Sequence, residues 1–367
     1  MVQAILRPSI NFVRLHLTNV TGMGAIQVLN SLLPYLQIND RYVVSDIYLP
    51  DAGPLSIYRP FNKITKVTTY YRFIQKSFSR LIECTFLSYK FDGSTPLFVF
   101  GDLPLRTKSR QIVFMQTSHM IPPAAFEWGL ISIKFIIMRM VFRANLHYAQ
   151  TYIVQTNHMR EALINAYPTL FGRVHVVYMP VPSWLINCQL KRTSRVTSGV
   201  GLSLIYPSMK YLHKNHNLLS YIDVLNDNDW QINKLLLTIE SKANPAPCVS
   251  WIRCVGRLSV EEMIDNYAFV DALVFLSTNE SYGLPLVEAM FVGLPVICPD
   301  LPYAKDLCGK EAIYFNPVVV SSLKDAVIIL HNRLATGWWP DWSDQLSRLP
   351  PDWNTVACKF LALSDTV

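Results

Sequence analysis

Hydrophobic positions in this chain fall into two patterns that alternate along its length. Short apolar runs rich in β-branched and aromatic residues predict buried parallel strands at 11–17, 97–100, 112–115, 152–154 and 174–178. The same pattern returns at 202–206, 234–239, 272–277 and 313–315. Between these runs, apolar residues at helical spacing predict helices, among them 25–33 and 218–225. Such alternation predicts an α/β chain of doubly wound parallel sheets. At 367 residues it suits two domains. Met179-Pro180-Val181-Pro182 reads as the hinge, giving an N-terminal domain over 1–182 and a C-terminal domain over 183–340. Trp338, Trp339, Trp342 and Trp353 suggest that 341–367 forms a terminal helix packing back across the junction.

Charge sharpens this division. The first 182 residues carry 18 Lys and Arg against 8 Asp and Glu, and the remainder 15 against 18. The basic half therefore predicts an anionic partner surface. Within it, residues 70–81 place Arg72, Lys76 and Arg80 on one helical face and Tyr70, Ile74, Phe78 and Leu81 on the other. A second segment, 128–146, is more apolar and carries Lys134, Arg139 and Arg143. Both read either as core helices with a charged edge or as helices lying on an anionic membrane surface. The charge excess favours the membrane. Nucleic acid would use the same charge, but no recognition motif accompanies it.

Hydrophobic content of 51% excludes a disordered chain. No uncharged apolar run reaches the roughly 18 residues of a membrane span, and the N-terminus lacks a secretory signal's basic start and long apolar core. Seven cysteines without a C-x-x-C pair predict reduced thiols, with no zinc site or disulfide framework. The expected location is the cytoplasm, at most peripheral on the inner face of the cytoplasmic membrane.

Candidate chemistry concentrates at Thr278-Asn279-Glu280-Ser281-Tyr282-Gly283-Leu284-Pro285-Leu286-Val287-Glu288. The preceding apolar run predicts a strand, and Pro285 suits the first turn of a helix, where its missing N–H costs nothing. Glu280 then lies on the strand-to-helix loop and Glu288 about one turn inside the helix. Free N–H groups at such a helix start bind phosphate, and the carboxyl ends of parallel strands are where open α/β sheets bind ligands. Carboxylates flanking a phosphate site suit a sugar nucleotide, because they accept hydrogen bonds from sugar hydroxyls. An ordinary βα turn with a solvated Glu280 is the plain alternative.

This segment resembles the E-x7-E signature of retaining, GT-B-fold glycosyltransferases of the group 1 family, and the resemblance runs from about Gly201 to Pro317. It implies two Rossmann-like domains facing a cleft, with Glu280 on the donor sugar, Glu288 on the ribose, and Tyr282, Gly283 and Leu284 along the nucleotide loop. Lys214 occupies the family's lysine slot for the donor diphosphate, whereas the arginine slot holds Met209, with Lys210 as a substitute lacking arginine's bidentate fork. His119 matches a family histidine that reaches the sugar from the N-terminal domain. Gly22 and Gly24 resemble the N-terminal glycine loop near the phosphates, and Gly256 the loop under the base. Asp227 and Asp229 form a D-x-D between a helix and a strand, which reads as a surface turn, so no metal or other cofactor is expected.

The resemblance implies transfer of a sugar from a UDP- or GDP-type donor to a glycan or lipid-linked acceptor, in surface polysaccharide synthesis. Two alternatives are a nucleotide-sugar epimerase on the same fold and a non-catalytic partner of an active transferase.

Overall fold

The structure, a computed structural model, describes residues 10–20, 22–72, 76–122, 130–196, 201–223 and 229–366. The chain divides into two units, Met1–Met179 with Pro350–Val367, and Pro180–Leu349. Ile74, Trp128 and Asp227 lie outside the described residues.

In the first unit the order is β1 (Asn11–His16), α1 (Met23–Gln37), β2 (Tyr42–Pro50), β3 (Lys66–Tyr70), α2 (Lys76–Thr85) and β4 (Leu97–Val99). It continues with β5 (Gln111–Phe114), α3 (Leu130–Asn145), β6 (Thr151–Val154), α4 (Asn157–Ala166) and β7 (Val174–Val176). These seven strands pair in parallel in the order β3-β2-β1-β4-β5-β6-β7. Val13, Leu15, Leu97, Val99, Ile112, Val113, Ile153 and Val154 are fully buried, as strands covered on both faces require.

Strands β2 and β3 depart from the simple apolar pattern. Ser45-Asp46 interrupts β2, and β3, Lys-Val-Thr-Thr-Tyr, is an edge strand with little to bury. Residues 70–81 are consequently not one helix: Tyr70 closes β3 opposite Pro50, and α2 begins at Lys76. The expected row of solvent-facing cations does not form either. Arg72 bonds Glu83 Oε2 at 2.7 Å, the Thr18 carbonyl at 3.0 Å and Asn19 Oδ1. Arg80 bonds the Gly101 carbonyl and lies 3.6 Å from Asp102. Buried carboxylates draw these guanidinium groups inward, because a buried charge without a partner costs several kcal/mol.

The second unit runs α5 (Ser183–Cys188), β8 (Leu202–Tyr206), β9 (Ile232–Leu237), β10 (Ile252–Cys254), α6 (Val260–Phe269) and β11 (Ala272–Val274). There follow α7 (Leu284–Val292), β12 (Val296–Pro299), α8 (Pro302–Cys308), β13 (Ile313–Phe315), α9 (Val320–Ala335) and α10 (Ser343–Ser347). Six parallel strands take the order β10-β9-β8-β11-β12-β13. A capping box starts α6, where Ser259 Oγ accepts from the Glu262 N–H and Glu262 accepts from the Ser259 N–H. The helix expected at 218–225 is instead a 3-10 turn over His216–Tyr221, entered through Asn215 in the left-handed region. Ser220 Oγ bonds the Asn217 carbonyl there, a local bond that competes with a longer helix.

After the second unit, α11 (Trp353–Ala362) belongs to the first. Phe360 stacks on Phe98 and Phe100 and meets Phe114 edge-on, with centroids 6.4, 6.2 and 5.0 Å apart. Trp339 and Trp342 stay in the second unit, donating to the carbonyls of Arg192 and Leu294.

Candidate active site

Strand β8 lies between β9 and β11, so the chain winds outward in opposite directions from the β8/β11 pair. Loops leaving the carboxyl ends of such a pair form the natural ligand crevice of an open α/β sheet. Here those loops are 207–215 and 275–283, and they carry Lys214 and Glu280.

The structure brings the two together. Lys214 Nζ bonds Glu280 Oε1, with side-chain exposures of 15% and 13%. The Lys214 ammonium also lies 5.6 Å from the centre of the Phe275 ring. The loops are laced through His213, whose carbonyl accepts from the Thr278 N–H at 2.7 Å and from the Ser277 and Thr278 hydroxyls. Burial pushes the His213 imidazole below its ordinary value, and the neighbouring Glu280 opposes that shift.

Helix α7 begins where the pattern requires. Gly283 caps it at φ +94°, a left-handed conformation in which a Cβ would sit 3.1 Å from Leu286 Cδ1. Pro285 occupies the first turn. Leu284 is half-buried, whereas the Tyr282 side chain, only 2% exposed, packs inward and offers no surface to a ligand. Glu288 lies one turn into the helix, 5% exposed, and accepts a 2.8 Å hydrogen bond from the Tyr267 hydroxyl.

Residues 238–333 match the family described as glycosyl transferases group 1. These residues all lie within the second unit. Serotype-specific mannosyltransferase WbdA of Escherichia coli is 30% identical over 114 residues, which is 31% of this chain and 13% of WbdA. O-antigen chain mannosyltransferase B of Escherichia coli is 30% identical over 78 residues, 21% of this chain and 20% of that protein. The match thus spans a minor share of these relatives' own length. Over the whole chain, a glycosyltransferase from Rickettsia africae ESF-5 aligns with a TM-score of 0.65 at 14% identity, covering 97% of this chain and 98% of the other. That likeness establishes the fold, GT-B, with two Rossmann-like parallel-sheet domains.

Other expected residues of the second unit are placed less directly. Met209 is 48% exposed and its sulfur accepts from the Tyr211 hydroxyl. Lys210 is exposed and donates to the Ala243 carbonyl, on the loop after β9, at 3.0 Å. Gly256 takes φ +72° after β10 and donates to the Ile239 carbonyl. Asp229 is exposed and lies 3.6 Å from Lys324.

In the first unit, Gly22 caps α1 at an ordinary φ of −73°, and Gly24 falls inside the first turn of that helix. Neither needs glycine's conformational freedom. His119 lies in a 3-10 turn after β5, with its ring stacked 4.1 Å from Phe135 and its carbonyl accepting from Arg139. Sequence reasoning missed Asp102. Its carboxylate accepts from the Gln116 and Thr117 N–H groups at 2.6 and 3.2 Å, fixing the turn that leads to His119. Burial raises its pKa against the pull of Arg80, and its backbone has φ +63°. The adjacent Gly101 marks a tight bend, the one signal available beforehand. Tyr267, which holds Glu288, was also missed, since its place in α6 resembles that of any core tyrosine.

Proposed function

We propose that this chain is a retaining glycosyltransferase that moves a hexosyl group from a UDP- or GDP-type donor to a glycan or lipid-linked acceptor in surface polysaccharide synthesis. The pairing of Lys214 with Glu280 at the β8/β11 switch carries this reading. It puts a cation for a diphosphate beside a carboxylate for sugar hydroxyls, at the start of a helix whose N-terminal dipole favours anions. The match to the mannosyltransferases WbdA and B supports a sugar nucleotide as donor.

In the proposed reaction the anomeric C–O bond to the diphosphate breaks through an oxocarbenium-like transition state. The acceptor hydroxyl attacks from the same face and gives its proton to the departing phosphate. Lys214 and the α7 N-terminus stabilise charge on that phosphate, which makes transfer independent of a divalent cation. Glu280 orients the sugar, and Glu288 the ribose.

A thermal-shift screen against UDP, GDP, ADP and their sugar conjugates, followed by product analysis, tests the proposal. Glycosyl transfer resistant to EDTA supports it. Sugar isomerisation without transfer would establish the epimerase alternative, and donor binding with no turnover the partner-subunit one.

A further inference from the structure

Three buried tyrosines converge on the three residues assigned to the donor. Tyr206 closes β8, is fully buried, and donates to the Lys214 carbonyl at 2.8 Å. Tyr303 in α8 is 3% exposed and donates to the carbonyl of Ser277, on the loop that carries Glu280. Tyr267 in α6 is fully buried and donates to Glu288 Oε2 at 2.8 Å. One phenol thus serves each of Lys214, Glu280 and Glu288, and each comes from a different element.

The packing of these rings does not require their hydroxyls. Tyr206 meets Phe275 edge-on at 5.7 Å, a contact that phenylalanine would keep. A hydroxyl in so dry a place is retained only with a partner, because leaving it unpaired costs a large part of its desolvation. Burial, aided by the charge of Glu280 at Tyr206 and Tyr303 and of Glu288 at Tyr267, pushes all three phenols well above their ordinary range, although a hydrogen bond with Ser208 opposes the shift at Tyr206. They therefore remain neutral, dedicated donors throughout the physiological range.

We infer that Tyr206, Tyr303 and Tyr267 are positioning residues for the sugar-nucleotide donor, each setting one contact. Tyr206 sets the lysine that meets the diphosphate, Tyr303 the carboxylate that meets the sugar, and Tyr267 the carboxylate that meets the ribose. The inference rests on the proposed donor site. It differs from a purely structural role in one respect: the three losses should fall on different parts of the donor.

The test uses the full chain with Tyr206→Phe, Tyr303→Phe and Tyr267→Phe, titrated calorimetrically with uridine, guanosine and adenosine and with the matching diphosphates. Turnover on the matching UDP-, GDP- and ADP-sugars is measured alongside. Tyr267→Phe should weaken nucleoside and diphosphate binding by the same factor, about tenfold for one hydrogen bond to a carboxylate. Tyr206→Phe should spare the nucleoside and weaken the diphosphate about tenfold. Tyr303→Phe should spare both and lower kcat about tenfold at unchanged KM. The same pattern of losses in all three variants, or unchanged binding and kcat in them whether or not the melting temperature falls, overturns the inference. Unchanged binding and turnover in Lys214→Ala and Glu280→Gln would instead overturn the donor-site reading beneath it.

Discussion

Lys214 and Glu280, 66 residues apart in sequence, form an ion pair where the loops of β8 and β11 meet. In the proposed site an incoming diphosphate competes with Glu280 for the Lys214 ammonium. Glu280→Gln should separate the two jobs of this carboxylate. Losing a charged contact to the sugar should lower turnover roughly a hundredfold. Freeing Lys214 should leave diphosphate affinity unchanged or raise it by a small factor. Steady-state rates together with calorimetry decide this, and wild-type turnover in the variant would remove the assignment.

Lys214→Ala should do the opposite. In the proposed site the ammonium meets the diphosphate and not the base, so nucleoside diphosphate binding should weaken by roughly ten- to a hundredfold, as for one charge-assisted contact. Nucleoside binding should stay within a factor of two or so. Parallel calorimetric titrations with the nucleoside and its diphosphate supply the comparison. Equal losses for both ligands would place Lys214 away from the phosphates.

Much of this architecture was legible because parallel strands buried on both faces announce themselves as apolar runs. β1, β4, β5, β8 and β11 all do so, and Gly283 with Pro285 marks the start of α7. β3 was not legible, since an edge strand of Lys-Val-Thr-Thr-Tyr buries too little to leave a signature. The basic face at 70–81 failed for another reason. Periodicity records where a side chain would point on a helix, but not that Glu83 and Asp102 draw Arg72 and Arg80 inward. In the site, charged residues on loops could be found from sequence. The tyrosines that brace them could not, because a buried phenol looks like core until its partner is known.

Glu83 anchors the first unit. It is fully buried and bonds His16 Nε2 at 2.8 Å, Arg72 at 2.7 Å and the Thr18 hydroxyl. Burial alone would raise its pKa, but these partners outweigh burial and hold the carboxyl below its ordinary range. Glu83→Leu would strand Arg72 and should cost about 3–5 kcal/mol in urea unfolding. Glu83→Gln should cost less, since the amide keeps an acceptor for Arg72. Equal and small losses in both would show that the network is solvated.

His216 predicts a pH dependence. It is buried, its Nε2 lies 3.0 Å from Ser208 Oγ, and burial together with Lys210 and Lys214 pushes its pKa down to about 4. In the unfolded chain it titrates near 6.5. The folded pKa is the lower one, so the neutral form stabilises the fold above about pH 6.5. That stability is lost as pH falls towards 4, at about 1.4 kcal/mol for each unit of difference. His216→Gln should flatten the stability profile between pH 6.5 and 4 relative to the unsubstituted chain. Parallel profiles would mean that this imidazole titrates normally.

The last prediction concerns α3. Ile133, Ile137 and Met140 lie along one side of this helix with exposures of 53%, 40% and 66%, and Lys134 and Arg143 are exposed beside them. With Arg72 and Arg80 turned inward, this is the surface on which the expected contact with an anionic membrane now rests. Two cations at about 1 kcal/mol each would contribute roughly 2 kcal/mol of attraction, some thirtyfold in partition, and the apolar side chains would add to it. Flotation with phosphatidylglycerol vesicles should therefore be strong at low salt and weak at high salt. Lys134→Glu with Arg143→Glu should abolish the salt-sensitive part. Ile137→Ser with Met140→Ser should weaken binding at every salt concentration. Both double variants should keep the parent melting temperature and diphosphate affinity, because all four side chains are exposed on α3 and none belongs to the proposed donor loops. If the charge-reversed variant floats as well as the parent, α3 is not the membrane-facing helix, and the basic excess of the first unit is left to serve an anionic acceptor.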